Sequence, residues 1–191
     1  MKKLIIGVIV ILTSCYFGSI MRFSEKDIGD TVNTVINPSF EDGDYNFETL
    51  PEEWMVLNDA AEKIFWDNNY RCTGSKSLRI EYPDDNINII SDAFPINPEY
   101  VYYSRCFLRT NYRSNHSVVI RFLAFNAKGK RVNKFSNKGY PKEDWTQIDL
   151  TSGFLNSTAR FGRIIISIPK KPDKIFWIDD VESYNVYKIQ K

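Results

Sequence analysis

The feature that most constrains this chain is a repeated alternation of apolar and polar residues with a period of two. Leu78, Ile80 and Tyr82 fall on one side of the stretch 77–82, and the residues between them are polar. A strand points successive side chains to opposite faces, so this alternation is typical of strands with one face in a core. Only residues 59–65 could form a helix, and that segment is short. The sequence therefore predicts an all-β sandwich or barrel. Its clearest strands are expected at 77–82, 100–109, 118–125 and 163–168.

The composition is that of an ordinary globular protein with one domain. The chain has 191 residues, of which 43% are hydrophobic and 26% are charged. These values exclude a disordered chain, a coiled coil and a multi-span membrane protein. Lysine and arginine number 25 against 24 acidic residues, a formal net charge of +1, so no excess of positive charge favours nucleic acid as a partner. Aromatic residues reach 15%, which suits both strands and ligands with flat faces.

The first fifteen residues resemble the leader of a bacterial lipoprotein. Lys2 and Lys3 precede an apolar run, 4–12, that is too short to span a bilayer, since a spanning helix needs about 20 residues. The sequence Leu-Thr-Ser-Cys at 12–15 resembles a lipobox, which implies cleavage before Cys15 and its modification by palmitate-type acyl chains. The alternative is an ordinary signal peptide with an incidental cysteine. On the lipobox interpretation, residues 1–14 are the signal peptide, 15–33 a lipid-anchored tether and 34–191 the folded domain.

Two cysteines remain beyond the leader, and their state is left open by the sequence. A disulfide between Cys72 and Cys106 would close a loop of roughly 35 residues and stabilise an exported domain by about 3 kcal/mol or more. Two separate buried thiols fit the sequence equally well. No Cys-x-x-Cys spacing exists to indicate zinc or thioredoxin-like chemistry.

Six short motifs, in order along the chain, resemble the jelly-roll carbohydrate-binding modules that accompany cellulases and xylanases. The resemblance covers residues 36 to about 187 and implies a two-sheet antiparallel jelly-roll β-sandwich of the galactose-binding-like type. Glu99 departs from the pattern, because these modules usually have glycine there. The motifs are Asn37–Gly43, Pro51–Trp54, Gly74–Ile80, Phe94–Tyr102, Trp145–Ile148 and Phe176–Val181.

The resemblance also implies a structural calcium ion between the first and last strands. Glu41 and the pair Asp179 and Asp180 would be its carboxylate ligands, with backbone carbonyls near Ser75 completing the six to eight oxygens that calcium takes. The alternative is that these acids are solvated residues at strand ends.

A polar and aromatic face is the expected ligand site. In the resembling modules a concave sheet exposes aromatic rings that stack on sugars. In this sequence Tyr103, Arg105 and Phe107 share one face of a predicted strand, and Arg121 lies on the next predicted strand. Arginine can hold hydroxyls or sugar carboxylates with two parallel hydrogen bonds. The alternative is a merely exposed sheet face. The pair Trp66 and Tyr70 could add a stacking platform on a loop, although core packing of the tryptophan is the other interpretation. 

These observations favour a non-catalytic glycan-binding module on a lipid-anchored surface or periplasmic protein of the bacterial cell envelope, at the outer membrane or cell surface. No carboxylate pair with glycosidase spacing is marked in the sequence, and His116, the single histidine, has no identifiable nucleophile beside it. The expected partners are a glycan, the membrane through the anchor, and an enzyme acting in trans. A structural or adhesive lipoprotein that binds a protein is the alternative, and a jelly-roll glycosidase or lyase is the third hypothesis.

Overall fold

A computed structural model describes residues 21–43, 50–57, 61–113 and 115–190. The predicted signal peptide, Cys15 and the first part of the predicted tether lie outside the described residues, so the lipobox interpretation stays a prediction. Along 21–190, with the gaps given above, no helix is both long and apolar enough to cross a membrane.

The described chain is a sandwich of two antiparallel sheets, as predicted. One sheet has six strands in the order β1-β4-β10-β7-β8, with β5 paired to β10, and the other has five in the order β2-β3-β11-β6-β9. The strands are β1 Trp54–Val56, β2 Ile64–Asp67, β3 Ser77–Glu81, β4 Ile87–Ser91, β5 Phe94–Pro95, β6 Tyr100–Thr110, β7 Val118–Asn126, β8 Arg131–Gly139, β9 Thr146–Thr151, β10 Ala159–Ile168 and β11 Ile175–Lys188.

The core lies between the sheets and is built from the apolar halves of the alternating strands. Ile120 and Phe122 of β7 meet Ile164 and Ile166 of β10, and all four side chains are fully buried. Each such side chain contributes about 1.5–3 kcal/mol through its removal from water. Tyr102, Cys106 and Leu108 supply the same layer from β6, which confirms the predicted inward set of that strand.

Of the short helix considered for residues 59–65, positions 59 and 60 lie outside the described residues, and the rest has a different local structure. Ala61–Lys63 forms one turn of 3-10 helix, and Ile64 already begins β2. The β-branched and aromatic residues that follow pair with β3, and this pairing with a neighbouring strand outweighs a weak local helical pattern.

The segment before β1 lies along the last strand without forming a regular strand itself. The backbone N–H of Thr34 donates to the carbonyl of Ser183 at 2.9 Å, and that of Val181 donates to Pro38 at 2.8 Å. The amide of Asn37, whose φ is +48°, donates to the carbonyls of Asp42 and Glu52. The beginning of the domain is thereby fixed beside its end.

Candidate functional site

The two sheets present two outer faces, and the predicted ligand residues are divided between them. We call the outer side of the five-stranded sheet the Arg105 face, which carries Tyr103, Arg105 and Phe107 of β6. The outer side of the six-stranded sheet is the Arg121 face. The sequence interpretation placed Arg121 beside the β6 residues, and this was wrong, because β6 and β7 belong to different sheets. In a sandwich, strands that are consecutive in sequence can cross from one sheet to the other.

The Arg105 face is partly covered by the chain's own N-terminal segment, residues 22–34. The carboxylate of Glu25 lies 2.8 Å from Nη1 of Arg105, whose Nε is paired with Glu182. The Phe23 ring packs against Tyr187 with centroids 5.7 Å apart, and its backbone N–H donates to Oγ1 of Thr151. This described part of the predicted tether therefore packs against the domain.

Tyr103 points to the outer side of β6, as its alternation predicts, but its ring is fully buried. Gln147 donates a hydrogen bond to its hydroxyl oxygen at 3.0 Å. Burial, together with the nearby charge of Asp149, raises the pKa of this phenol to about 12. A ring without exposed surface offers no face to a sugar, so the prediction that Tyr103 stacks on a ligand is corrected for this conformation.

Arginine and aromatic side chains fill the rest of the Arg105 face. The guanidinium of Arg109 lies 4.4 Å from the ring centroid of Tyr70, which in turn packs edge-on against Trp177. The guanidinium of Arg105 lies 5.6 Å from the ring of Phe107, and both side chains are half-buried. Stacked cations and rings of this kind stabilise one another, which holds this face in a packed arrangement.

Asp67 joins the same network from the end of β2. Its carboxylate accepts hydrogen bonds from Nε1 of Trp177 and from Nη1 of Arg79, at 3.0 and 2.9 Å. The backbone N–H groups of Asn69 and Tyr70 also donate to it. Burial alone would favour the neutral acid, but these donors outweigh it and hold the pKa of Asp67 below its ordinary value.

Trp66 and Tyr70 do not form the platform considered from the sequence. Trp66 pairs with Leu78 and packs against the core, and a Cβ at Gly43 would lie 2.8 Å from its ring. Tyr70 instead lies on the Arg105 face with 43% of its surface exposed. The two rings lie on opposite sides of the sheet, which corrects the platform prediction and confirms the core alternative for Trp66.

The Arg121 face has an apolar floor. Ile90, Leu123 and Ile165 come from three neighbouring strands, are only 6–8% exposed, and form a buried cluster with the half-buried Phe125. The register sets Ile165 between Ile90 on β4 and Arg121 on β7. Among the residues that the structure describes, no segment outside the sheet forms part of this cluster.

Polar groups cross the Arg121 face beside that floor. Nη1 of Arg121 donates to Oγ of Ser167, and this hydroxyl donates to Oδ1 of Asn88, so one chain of hydrogen bonds links β7, β10 and β4. At one end, Phe161 lies opposite Phe125 and is 42% exposed. Hydrogen-bonding groups next to an exposed aromatic ring are what a sugar requires, because it has polar hydroxyls and apolar C–H faces.

The three acids expected to hold calcium converge on one loop, residues 72–76, but they bind its donors. Glu41 accepts from the backbone N–H groups of Ser75 and Lys76 at 2.8 and 2.9 Å and from the Ser75 hydroxyl. Burial opposes its ionisation, yet these hydrogen bonds keep the pKa of Glu41 below its ordinary value.

Asp179 and Asp180 accept hydrogen bonds from the first residues of the same loop. Oδ2 of Asp179 accepts from the N–H groups of Cys72 and Thr73, and Oδ1 of Asp180 accepts from the Thr73 hydroxyl at 2.6 Å. Burial and the charge of Asp180 raise the pKa of Asp179 to about 7. No cluster of three or more metal-binding side chains occurs in the described ranges. Calcium requires lone pairs that converge on one point, whereas these carboxylates are directed at N–H and O–H donors, so the described residues do not fit the ion.

The two cysteines are separate thiols in the structure. Cys106 is buried in the core, while Cys72 is half-buried beside Asp179 and Asp180. The disulfide alternative is therefore corrected, because Cys106 faces the inside of the sandwich and Cys72 lies on the loop held by the acid pair. Burial and the neighbouring carboxylates raise the pKa of Cys72 to about 12, which keeps it protonated and unreactive.

Four residues of the Arg121 face were not singled out from the sequence: Asn88, Phe125, Phe161 and Ser167. The alternation in β7 and β10 already places Phe125 and Ser167 on the side opposite the core. Phe161 keeps the phase of Arg163 and Ser167, but it lies before the predicted strand 163–168, in the part of β10 next to the register shift after Ala159. Asn88 belongs to a strand, β4, whose other residues are nearly all isoleucine, so its sequence lacks a polar and apolar alternation.

Comparison with known proteins gives the class of the fold. No family model matches the sequence, and no curated protein matches it. Solved structures do match. A family 61 carbohydrate-binding module in complex with β-1,4-galactotriose has a TM-score of 0.55 at 14% identity, over 81% of this chain and 99% of that one. The CBM22-1 xylan-binding domain of Xyn10C from Paenibacillus barcinonensis has a TM-score of 0.54 at 11% identity, over 83% and 96%.

The enzymatically active domain of tailspike protein 4 from bacteriophage CBA120 is also similar, with a TM-score of 0.62 at 13% identity. That match covers 80% of this chain but 21% of the tailspike chain. The chain thus has the jelly-roll fold of carbohydrate-binding modules, and the predicted resemblance is confirmed at the level of the fold. At these identities the ligand has to be argued from the side chains.

Proposed function

We propose that this protein is a non-catalytic glycan-binding module and that its Arg121 face is the binding surface. The observation that carries the proposal is the hydrogen-bonded chain Arg121–Ser167–Asn88 beside the apolar floor. The Arg121 guanidinium would bind sugar hydroxyls or a sugar carboxylate, and the ring of Phe161 would stack on a sugar face. The carbohydrate-binding modules that share the fold support a glycan as the ligand class.

The Arg105 face serves a different purpose in this proposal. Its arginine is already paired with Glu25 and Glu182, and Tyr103 is fully buried. A glycan would have to displace the N-terminal segment before it could reach these groups. The face therefore holds residues 22–34 against the domain, whereas on the Arg121 face the ring of Phe161 is exposed to a ligand.

The absence of catalysis is part of the proposal. Glycoside hydrolysis requires two carboxylates on either side of the scissile bond, about 5–9.5 Å apart. Asp92 directly follows β4 beside the Arg121 face, and its Oδ1 lies 3.5 Å from the guanidinium of Arg163. We therefore assign this carboxylate to the ion pair with Arg163 and not to catalysis.

We further propose that Cys15 carries the lipid, which places the module on the bacterial cell envelope, at the outer membrane or cell surface. The leader sequence supports this, and the module would then capture glycan for an enzyme acting in trans. A chain with several acyl groups stays bound to a membrane, whereas one acyl chain binds reversibly.

Affinity electrophoresis in gels that contain soluble polysaccharides tests the glycan proposal. The protein should be retarded by at least one glycan, and Phe161→Ala should weaken the retardation several-fold. Phe154→Ala is the matched control, since Phe154 is another exposed phenylalanine, at 63%, but lies in the loop after β9. Equal retardation of both variants and the wild type would contradict the assignment to the Arg121 face, and no retardation by any glycan would contradict the function.

A further inference from the structure

The Arg121 face carries a strip of positive charge along β8 that the proposed function does not explain. The register places Lys134 opposite Leu123 and Lys138 opposite Val119, and both lysines are exposed. Arg131, also exposed, pairs with Phe125 at the other end of the strand. Leu123 and Phe125 belong to the apolar floor, so these basic side chains lie on the same side of the sheet as Arg121.

Acidic groups are scarce on this side of the sheet. Asp92 directly follows β4, which lies on the far side of β10 from β7 and β8, and its carboxylate is paired with Arg163. A side-chain hydrogen bond with the neighbouring Asp92 raises the pKa of Glu53. The β7–β8 half therefore has an unbalanced positive charge, although the whole chain has a net charge of only +1.

The length of the strip indicates a ligand with repeated negative charges. Lys134 and Lys138 are four residues apart on one strand, which corresponds to about 13 Å. A single small anion cannot contact both ammonium groups, but a polymer with regularly spaced acidic groups can. The exposed ring of Phe161 and the half-buried ring of Phe125, on the same side of the sheet, favour a chain of sugar rings, whose C–H faces stack on aromatic rings.

We infer that the glycan bound by this face is acidic, bearing carboxylate or sulfate groups, with Arg121, Lys134 and Lys138 as the residues that select it. This inference rests on the proposed glycan-binding function and names its ligand class. Arg121 lies on the floor side of the strip, where its planar fork would take one acidic group with two hydrogen bonds. The two lysines would act as point charges along the polymer.

Titration with four glycans and one nucleic acid tests the inference. Polygalacturonate supplies carboxylates, its fully methyl-esterified form supplies the same backbone without charge, and dextran sulfate and dextran form the matching sulfate pair. A single-stranded oligothymidylate is the non-sugar polyanion. We expect at least one acidic glycan to bind ten-fold or more tightly than its neutral partner, and to lose ten-fold or more in affinity between 50 and 500 mM salt, because exposed charges are screened.

Substitutions test whether the basic residues of β8 cause the preference for an acidic glycan. Lys134→Gln and Lys138→Gln should each weaken the acidic glycan several-fold, while Lys170→Gln, an exposed lysine after β10, should leave its affinity unchanged. Equal, salt-independent binding of the neutral glycans would overturn the acidic ligand and keep the glycan function. Binding of none of the four would overturn both. Oligothymidylate binding as tight as that of the acidic glycan would overturn the selection of a sugar polymer.

The loop 72–76, which Glu41, Asp179 and Asp180 bind, contains a buried lysine. Lys76 is only 5% exposed, and its Nζ donates to the backbone carbonyl of Glu41 at 2.5 Å. The same ammonium lies 4.2 Å from the ring centroid of Trp66. A cation is thus already present between the segment that holds Glu41 and the loop 72–76.

We propose that the Lys76 ammonium takes the structural role that a calcium ion has in the resembling modules. The oxygens of Glu41 that were expected to bind calcium have other partners. Its carboxylate accepts from N–H and O–H donors, and its backbone carbonyl accepts from the ammonium of Lys76. Gly74 supports this arrangement, because its φ is +56° and a Cβ there would lie 2.3 Å from Oε1 of Glu41. The loop therefore closes tightly around the carboxylate.

Thermal unfolding with and without metal tests this role. The melting temperature of the wild-type protein should be the same in excess Ca²⁺ and in EDTA, and elemental analysis should find no stoichiometric calcium. Lys76→Met keeps the apolar stem beside Trp66 but removes the charge, and should lower the melting temperature by several degrees. Lys128→Met, at an exposed turn position, is the control and should change nothing. A rise in melting temperature with Ca²⁺ in the wild type, or an unchanged Lys76→Met, would overturn the proposal.

Discussion

Asp67 is the residue whose ionisation should matter most to the acid stability of the fold. Its pKa is held below the ordinary value by Trp177, Arg79 and two backbone donors, in spite of burial. An acid with a lowered pKa stabilises the folded state at every pH above about 4, and that stabilisation is lost as the pH falls below 4 towards the pKa in the folded protein.

Asp67→Asn should therefore reduce the free energy of unfolding at pH 7 by about 1–3 kcal/mol, because it removes the charge that buried donors face. It should also flatten the dependence of stability on pH between 2 and 5. Urea unfolding at a series of pH values measures both effects, with Asp84→Asn, an exposed acid, as the control. The same pH dependence in Asp67→Asn and the wild type would contradict the role given to this carboxylate.

Single residues show clearly what the sequence could and could not predict. The inward direction of Cys106 and Leu108 follows from alternation, because a strand has only two faces. The burial of Tyr103 does not follow from alternation, because a side chain that points out of a sheet can still be enclosed by its neighbours, as Tyr103 is here beside Gln147. The partners of Glu41 and Asp179 depend on the path of the loop 72–76, which no local pattern records.

At the level of elements, residues 22–34 are the segment whose role most differs from the sequence interpretation. Val35 enters the core, and Asn33 and Thr34 bond to Ser183 of β11, so this end of the segment is firmly held. The other end depends on the ring of Phe23 and the ion pair of Glu25, whose side chain is 66% exposed. An exposed ion pair contributes at most about 1 kcal/mol, so the ring should matter more.

Phe23→Ala should accordingly speed tryptic cleavage after Lys26 several-fold, with a smaller effect from Glu25→Gln. The physical reason is that a protease needs the segment released from the sheet before it can bind the backbone. Limited proteolysis followed by mass spectrometry measures the rate, and Val32→Ala, at a highly exposed position, serves as the control. Identical cleavage rates in Phe23→Ala and the wild type would contradict the packing of this segment on the Arg105 face.

The strands themselves were predictable where the two faces of a strand differ from each other in polarity. The expected stretches 77–82, 100–109 and 118–125 each lie within one residue of β3, β6 and β7 at both ends. The sheet to which each strand belongs was not predictable from alternation, since pairing partners are distant in sequence. This is why Arg121 was placed beside Arg105 although β6 pairs with β9 and β11, and β7 with β8 and β10.

For the whole molecule, the lipid anchor is the prediction that connects the module to its site of action. Cys15→Ser should abolish incorporation of radiolabelled palmitate and move the protein from the membrane fraction to the soluble one. Cys72→Ser is the matched control and should keep both the label and the membrane association, because that thiol is half-buried in the domain. Continued labelling of Cys15→Ser would contradict the lipobox interpretation.

The central claim is that a glycan binds the six-stranded sheet on its Arg121 face. The most direct measurement is the change in backbone amide NMR shifts when an oligosaccharide fragment of a bound glycan is titrated into the protein. We predict the largest shifts at 119–125 and 161–167, the parts of β7 and β10 that carry Arg121, Phe125, Phe161 and Ser167. Shifts concentrated instead at 103–109 and 182–187, on the Arg105 face, would contradict the account.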